Sequence, residues 1–118
     1  MTGAYVLYHN PRCSKSRGAL DLLQENGIEP EVVRYLDDPP DADTLRALVR
    51  KLGIRPRELL RTGEDEYRSL GLADEAIGDD AIIEAMAAHP RLIERPILVR
   101  GDRAVIGRPP ERVLELLD

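Results

Sequence analysis

Ala4-Tyr5-Val6-Leu7-Tyr8 is a continuous apolar run, rich in aromatic and β-branched side chains, and predicts a buried strand. His9-Asn10-Pro11-Arg12 breaks it. A helix is predicted from near Cys13 to Asn26, because Ser16, Ala19, Leu20 and Leu23 fall at i, i+3, i+4 and i+7. Gly27 then sits where a left-handed cap ends a helix. Glu31 to Tyr35 reads as a second strand, so the chain opens with a β-α-β unit, which favours parallel pairing.

After the proline-rich connector Asp37 to Pro40, Asp41 is placed to cap a helix with Leu45, Leu48, Val49 and Leu52 on one face. Gly53 ends it. Pro56 predicts a short helix carrying Leu59, Leu60 and Arg61, and Tyr67 to Leu72 adds a turn or two. Asp79 or Asp80 is expected to cap a further helix through Ile82, Ala85, Met86 and His89, bounded by Pro90. Ile97 to Val99 and Ala104 to Ile106 read as a hairpin turning at Gly101-Asp102. A terminal helix with Val113, Leu114 and Leu117 on one face is predicted after Pro109-Pro110. The order β-α-β, helical block, β-β-α is that of an α/β thioredoxin-like fold with a small mixed sheet and a helical insertion. With 118 residues, one domain over residues 1–118 is expected.

Composition narrows the function. There is no Phe and no Trp, so the core must be built from aliphatic side chains and four Tyr. Net charge is −5, which lacks the basic footprint of nucleic-acid binding. Arg nevertheless supplies 15 of the 17 basic residues, and its planar fork is the better ligand for tetrahedral oxyanions. No basic region precedes the first apolar run, and no apolar stretch approaches the ~18–20 residues of a membrane span. A cytoplasmic protein is expected, where a lone cysteine stays a thiol.

That cysteine, Cys13, is predicted at the junction of the first strand and first helix. A helix N-terminus offers unpaired N–H groups and a partial positive charge, both of which favour the reactive thiolate. Arg12, Lys15 and Arg17 add positive charge. Ser16 makes a C-x-x-S arrangement, so no internal disulfide can form, and any redox turnover must finish with an outside thiol. A C-x5-R phosphatase loop is excluded because Ala19 holds the arginine position. One Cys and two separated His argue against a structural zinc site, so no metal is expected.

The stretch His9-Asn10-Pro11-Arg12-Cys13-Ser14-Lys15-Ser16-Arg17 resembles the active-site signature of glutaredoxin-dependent arsenate reductases. Leu59-Leu60-Arg61, Glu94-Arg95-Pro96-Ile97 and Ile106-Gly107-Arg108-Pro109 resemble that family's three arginine segments, in order, so the resemblance spans nearly the whole chain. The Arg-Cys-Ser-Lys-Ser loop is closer to the chromosomal short forms, which are related to Spx regulators. The resemblance implies that Cys13 is the nucleophile, that Arg61, Arg95 and Arg108 hold the oxyanion, and that His9 and Ser16 assist the sulfur. It implies a cis bond before Pro96. It implies arsenate as substrate, with glutathione as external co-substrate, glutaredoxin as partner, and no bound cofactor. Two alternatives stay open at this point. One is an Spx-like regulator binding RNA polymerase, although Ser16 removes that group's C-x-x-C switch. The other is a different glutathione-linked thiol oxidoreductase, which leaves the three arginines without a task.

Overall fold

A computed structural model of the chain describes residues 4–117. They divide into two compact units: the first gathers the chain up to Asp38 with the chain from Arg95 onward, and the second is Pro39–Glu94.

The first unit is a four-stranded mixed sheet, ordered β2-β1-β3-β4, with β1 Tyr5–Tyr8, β2 Glu31–Val33, β3 Ile97–Arg100 and β4 Arg103–Ile106. The β-α-β opening is parallel as expected, with Tyr8 opposite Val33, and helix α1 (Ser14–Glu25) forms the crossover. Strand β3 runs antiparallel to β1, with Tyr8 opposite Ile97, and β4 antiparallel to β3, with Ile97 opposite Ile106. Val33, Tyr8, Ile97 and Ile106 therefore form one row across the sheet, and the segments just beyond them leave from the same end. The sheet and α1 bury Leu7, Ala19, Leu23, Leu98, Val105, Val113 and Leu116. A fully buried Leu contributes about 1.5–3 kcal/mol, so this aliphatic cluster is a main support of the unit.

Helix α1 ends as its sequence suggests, with Gly27 at φ +77° and the Asn26 side chain donating to the Leu22 carbonyl at 2.8 Å. Strand β2 is shorter than expected: it stops at Val33, and the chain turns as the Asp37 and Asp38 amides both donate to the Arg34 carbonyl. The terminal segment is a correction. Pro110–Leu116 is a 3-10 helix, not an α-helix. Its buried residues, Val113 and Leu116, are three apart, which matches three residues per turn, and Leu114 points outward at 39% exposure.

The second unit holds α2 (Ala42–Leu52), a 3-10 turn at Pro56–Leu59, α3 (Asp65–Ser69), α4 (Asp79–Ala88) and a 3-10 turn at Pro90–Leu92. Asp41 caps α2 as expected, accepting from the Thr44 amide at 2.8 Å, and Gly53 closes the helix at φ +69°. For α4 the cap is Gly78 rather than either aspartate; Asp79 and Asp80 fall in its first turn, where their charge complements the helix dipole. Arg57 ties the following loop by donating to the carbonyls of Leu72, Asp74 and Ile77 at 2.6, 3.0 and 3.4 Å. An antiparallel bridge between Leu60 and Ile93, with Arg61 N–H donating to Leu92 O at 2.8 Å, joins the segment after the first 3-10 turn to the end of this unit.

Candidate active site

The loop between β1 and α1 is knitted from its own backbone. The His9 amide donates to Val33 O at 2.9 Å, which continues the β1–β2 pairing by one residue. The Cys13 amide donates to Asn10 O at 3.0 Å, and the Arg12 amide to Asn10 Oδ1 at 3.0 Å. Arg17 reaches back and donates to Pro11 O at 3.0 Å. These bonds fix Cys13 as the N-cap of α1, with extended backbone (φ −98°, ψ 124°), while its carbonyl accepts from the Arg17 amide. The sulfur makes no capping hydrogen bond and is half-buried. The helix therefore begins beside Cys13, as expected, with Cys13 at its N-terminal boundary.

Behind the loop lie two buried polar side chains, His9 and Ser16. Ser16 Oγ accepts from the Asn10 amide at 3.0 Å and lies 2.7 Å from His9 Nδ1. Burial lowers the His9 pKa below the ordinary 6.5, and the charges of Arg34 and Arg17 lower it further. The ring is therefore neutral at neutral pH. A single proton joins Ser16 Oγ and His9 Nδ1, given by the hydroxyl or by the ring according to the tautomer. His9 acts here as a hydrogen-bonding group rather than as a cation.

A depressed histidine pKa also makes stability depend on pH. The folded protein resists protonating His9, whereas the unfolded chain takes up the proton near 6.5. The stability due to the neutral ring is complete above 6.5 and declines as pH falls from there through the lower, folded-state value. Urea unfolding is expected to show lower stability at pH 5.5 than at pH 7.5, with the drop reduced in His9→Asn. An identical drop in both proteins would remove His9 as its source.

The other two arginine segments of this unit follow from the sheet register. Arg95-Pro96 immediately precedes β3 and Gly107-Arg108 immediately follows β4, so both lie beyond the row that ends β1. Arg108 donates to the Arg95 carbonyl at 3.2 Å, and the Gly107 amide donates to Pro96 O at 2.9 Å. The bond before Pro96 is cis, as the resemblance implied, and the bond between Arg108 and Pro109 is also cis. Gly107 lies against Pro96, Val113 and Ala19 of α1, which ties these segments to the helix that Cys13 caps.

Sequence reasoning passed over Arg34. It lies one residue past Val33, beside the same sheet end, and borders a cleft of about 320 Å³ with His9, Arg12 and Asp37. Cys13 is not part of that wall. The parallel pairing of β1 with β2 was the available signal for Arg34, since it puts the C-terminal ends of both strands together. Asn10 was missed as well, because the organising of a loop by its amide and carbonyl leaves no mark in composition.

Arg61 belongs to the second unit. There its guanidinium is bracketed by carboxylates, with NH1 at 3.4 Å from Glu64 Oε2 and Nε at 3.6 Å from Glu94 Oε1. Among the described residues, no group of three or more His, Cys, Asp or Glu side chains is arranged to hold a metal ion. No helix among them is long and apolar enough to cross a membrane.

The ArsC family model matches residues 8–116, from the end of β1 to the last 3-10 turn. The chain belongs to the ArsC family. It is 56% identical to the uncharacterized protein YfgD of Escherichia coli K12 over 99% of both chains. It is 47% identical to an arsenate reductase of Neisseria meningitidis serogroup A, over 94% of this chain and 96% of that one. Among solved structures, the arsenate reductase from Vibrio cholerae superposes with a TM-score of 0.95 at 47% identity, covering 99% of this chain and 100% of that one. This ArsC-family chain thus shares the thioredoxin-like α/β fold of those reductases, and the similarity runs through both of its units.

Proposed function

We propose that this chain reduces arsenate to arsenite, with Cys13 as nucleophile and a glutathione/glutaredoxin couple as the source of electrons. The observation that carries the reading is the sheet end where Cys13 caps α1 while Arg95 and Arg108 leave the neighbouring strands. Support also comes from the relatives that bear the arsenate reductase name at 44–47% identity.

In this mechanism the Cys13 sulfur attacks arsenic(V), and an arsenate oxygen leaves as water. Arg61, Arg95 and Arg108 neutralise the oxyanion and the charge that builds up as the sulfur adds. Because the chain has a single cysteine, a second thiol must complete the two-electron change. Glutathione displaces a second oxygen from arsenic as water. A glutaredoxin thiolate takes up the glutathione sulfur as a mixed disulfide and leaves the bonding pair on arsenic as As(III). Water then hydrolyses the Cys13–As(III) bond to release arsenite and the free thiol. His9 and Ser16 hold the loop beneath the sulfur through their hydrogen bond. No bound cofactor or metal has a step in this cycle, and the whole chain acts as one functional domain in a cytoplasmic setting.

The test is arsenite formation from arsenate in the presence of glutathione and glutaredoxin. Turnover is expected, and it stops when glutathione is left out. Arg95→Ala and Arg108→Ala each lower kcat/KM by roughly 10- to 100-fold, the loss of a charged hydrogen-bond donor. No arsenite from the wild-type protein under these conditions would refute the assignment.

A further inference from the structure

Arg61 does not present a bare charge in the free protein. Glu64 spans two arginines, with Oε2 at 3.4 Å from Arg61 and Oε1 at 3.2 Å from Arg91. Glu94 approaches Arg61 from its Nε side at 3.6 Å, and Glu66 reaches Arg91 at 3.9 Å. The carboxylates are largely shielded from solvent, at 16% side-chain exposure for Glu64, 22% for Glu66 and 24% for Glu94. Glu64 thus stands between Arg61 and Arg91, with Glu94 and Glu66 flanking the pair.

The Arg61 contacts are long. A closed charge-assisted bond between guanidinium and carboxylate spans about 2.7–2.9 Å. At 3.4 and 3.6 Å, Arg61 is held by attraction between charges, not by a completed fork. Its planar donors remain available to an acceptor that matches them better. A tetrahedral oxyanion offers two oxygens in that geometry, the arrangement to which arginine is best suited. A carboxylate and an oxyanion compete for the same donors.

We propose that Glu64 is a positioning residue that restrains Arg61 in the empty enzyme and is displaced from it by the arriving oxyanion, so that it sets how tightly substrate is held. This rests on Arg61 being an oxyanion ligand. Arg91 completes the device. By pairing with the second oxygen of Glu64, it gives that carboxylate a partner to keep when Arg61 turns to the substrate. Glu64 therefore weakens substrate binding by competition and leaves the chemical step to Cys13.

The experiment compares wild type, Glu64→Gln, Arg61→Ala and the double variant in arsenate turnover. Calorimetric titration of arsenate into the same variants on a Cys13→Ser background gives binding without chemistry. Glu64→Gln keeps the shape and removes the charge. It is expected to lower KM and the arsenate Kd by roughly two- to five-fold, the scale of a partly exposed ion pair, with kcat unchanged within about 1.5-fold. Glu64→Asp, which keeps the charge, stays nearer to wild type than Glu64→Gln. Arg61→Ala raises KM, and the double variant behaves as Arg61→Ala alone. An unchanged or raised KM in folded Glu64→Gln, with Arg61→Ala still impaired, overturns the competition while leaving Arg61 as a ligand. An Arg61→Ala protein with native KM removes the ligand role and the competition with it. Thermal melting checks the fold, and Glu94→Gln, which releases Arg61 on its other side, is expected to shift KM in the same direction.

Discussion

The Cys13→Ser protein is expected to fold, to bind arsenate and to form no arsenite. Serine is nearly the same size as cysteine, and the residue is half-buried with no sulfur hydrogen bond to lose at the helix cap, so stability should change by no more than about 0.5 kcal/mol. Chemistry is a different matter. A serine hydroxyl is a poor nucleophile without an adjacent base, and it cannot supply the sulfur–arsenic bond on which glutathione acts. Loss of the nucleophile should lower turnover by at least about 1,000-fold. Binding survives because the arginines are untouched. Calorimetry should therefore return a Kd near that of the parent, while the arsenite assay reads background. Full activity in this variant would mean that the sulfur is not the reacting group.

The second large effect concerns Gly107. A Cβ built there would stand 2.9 Å from Pro96 Cγ and 3.0 Å from Val113 Cγ1, both closer than carbon atoms pack. Neither neighbour can give way. Pro96 is a rigid buried ring, and Val113 is fully buried in the core of its unit. The backbone cannot slide apart either, since the Gly107 amide is bonded to the Pro96 carbonyl. Gly107→Val adds three carbons to this contact and is expected to destabilise the protein by about 3 kcal/mol, the upper end of overpacking costs. It also pushes on the segments that carry Arg95 and Arg108, so KM for arsenate should rise in whatever fraction remains folded. Chemical unfolding and steady-state kinetics read these two effects separately. Native stability in Gly107→Val would show that the Pro96 segment is free to move.

Much of this was open to reading from the chain. Helix α2 shows why: Asp41, the apolar stripe Leu45, Leu48 and Val49, and Gly53 each gave a local signal, and all agree with its bounds. The β-α-β opening and the hairpin at Gly101 were equally plain. Among the site residues, Cys13 stood out because charged and hydroxyl neighbours do not suit a core position. The misses were of two physical kinds. Local spacing did not separate a 3.6-residue period from a period of 3 over the seven residues of Pro110–Leu116, where core packing of Val113 and Leu116 decided the outcome. Contacts between residues distant in sequence were invisible: the His9–Ser16 bond depends on how the loop folds back, and the pairing of Arg61 with Glu94 depends on the Leu60–Ile93 bridge. Arginines could be named as anion ligands from the resemblance, but not their carboxylate companions.

The row Tyr8, Ile97 and Ile106 fixes more than the strands. Hydrogen-bonded ladders shift only in whole steps of about 3.3 Å, and each step turns every side chain to the opposite face. An extra residue inserted between Pro96 and Ile97 would therefore not be absorbed as slack. It would move the Arg95 side chain by about one rung or turn it to the opposite face. Length changes in these connections should be tolerated far less well than substitutions.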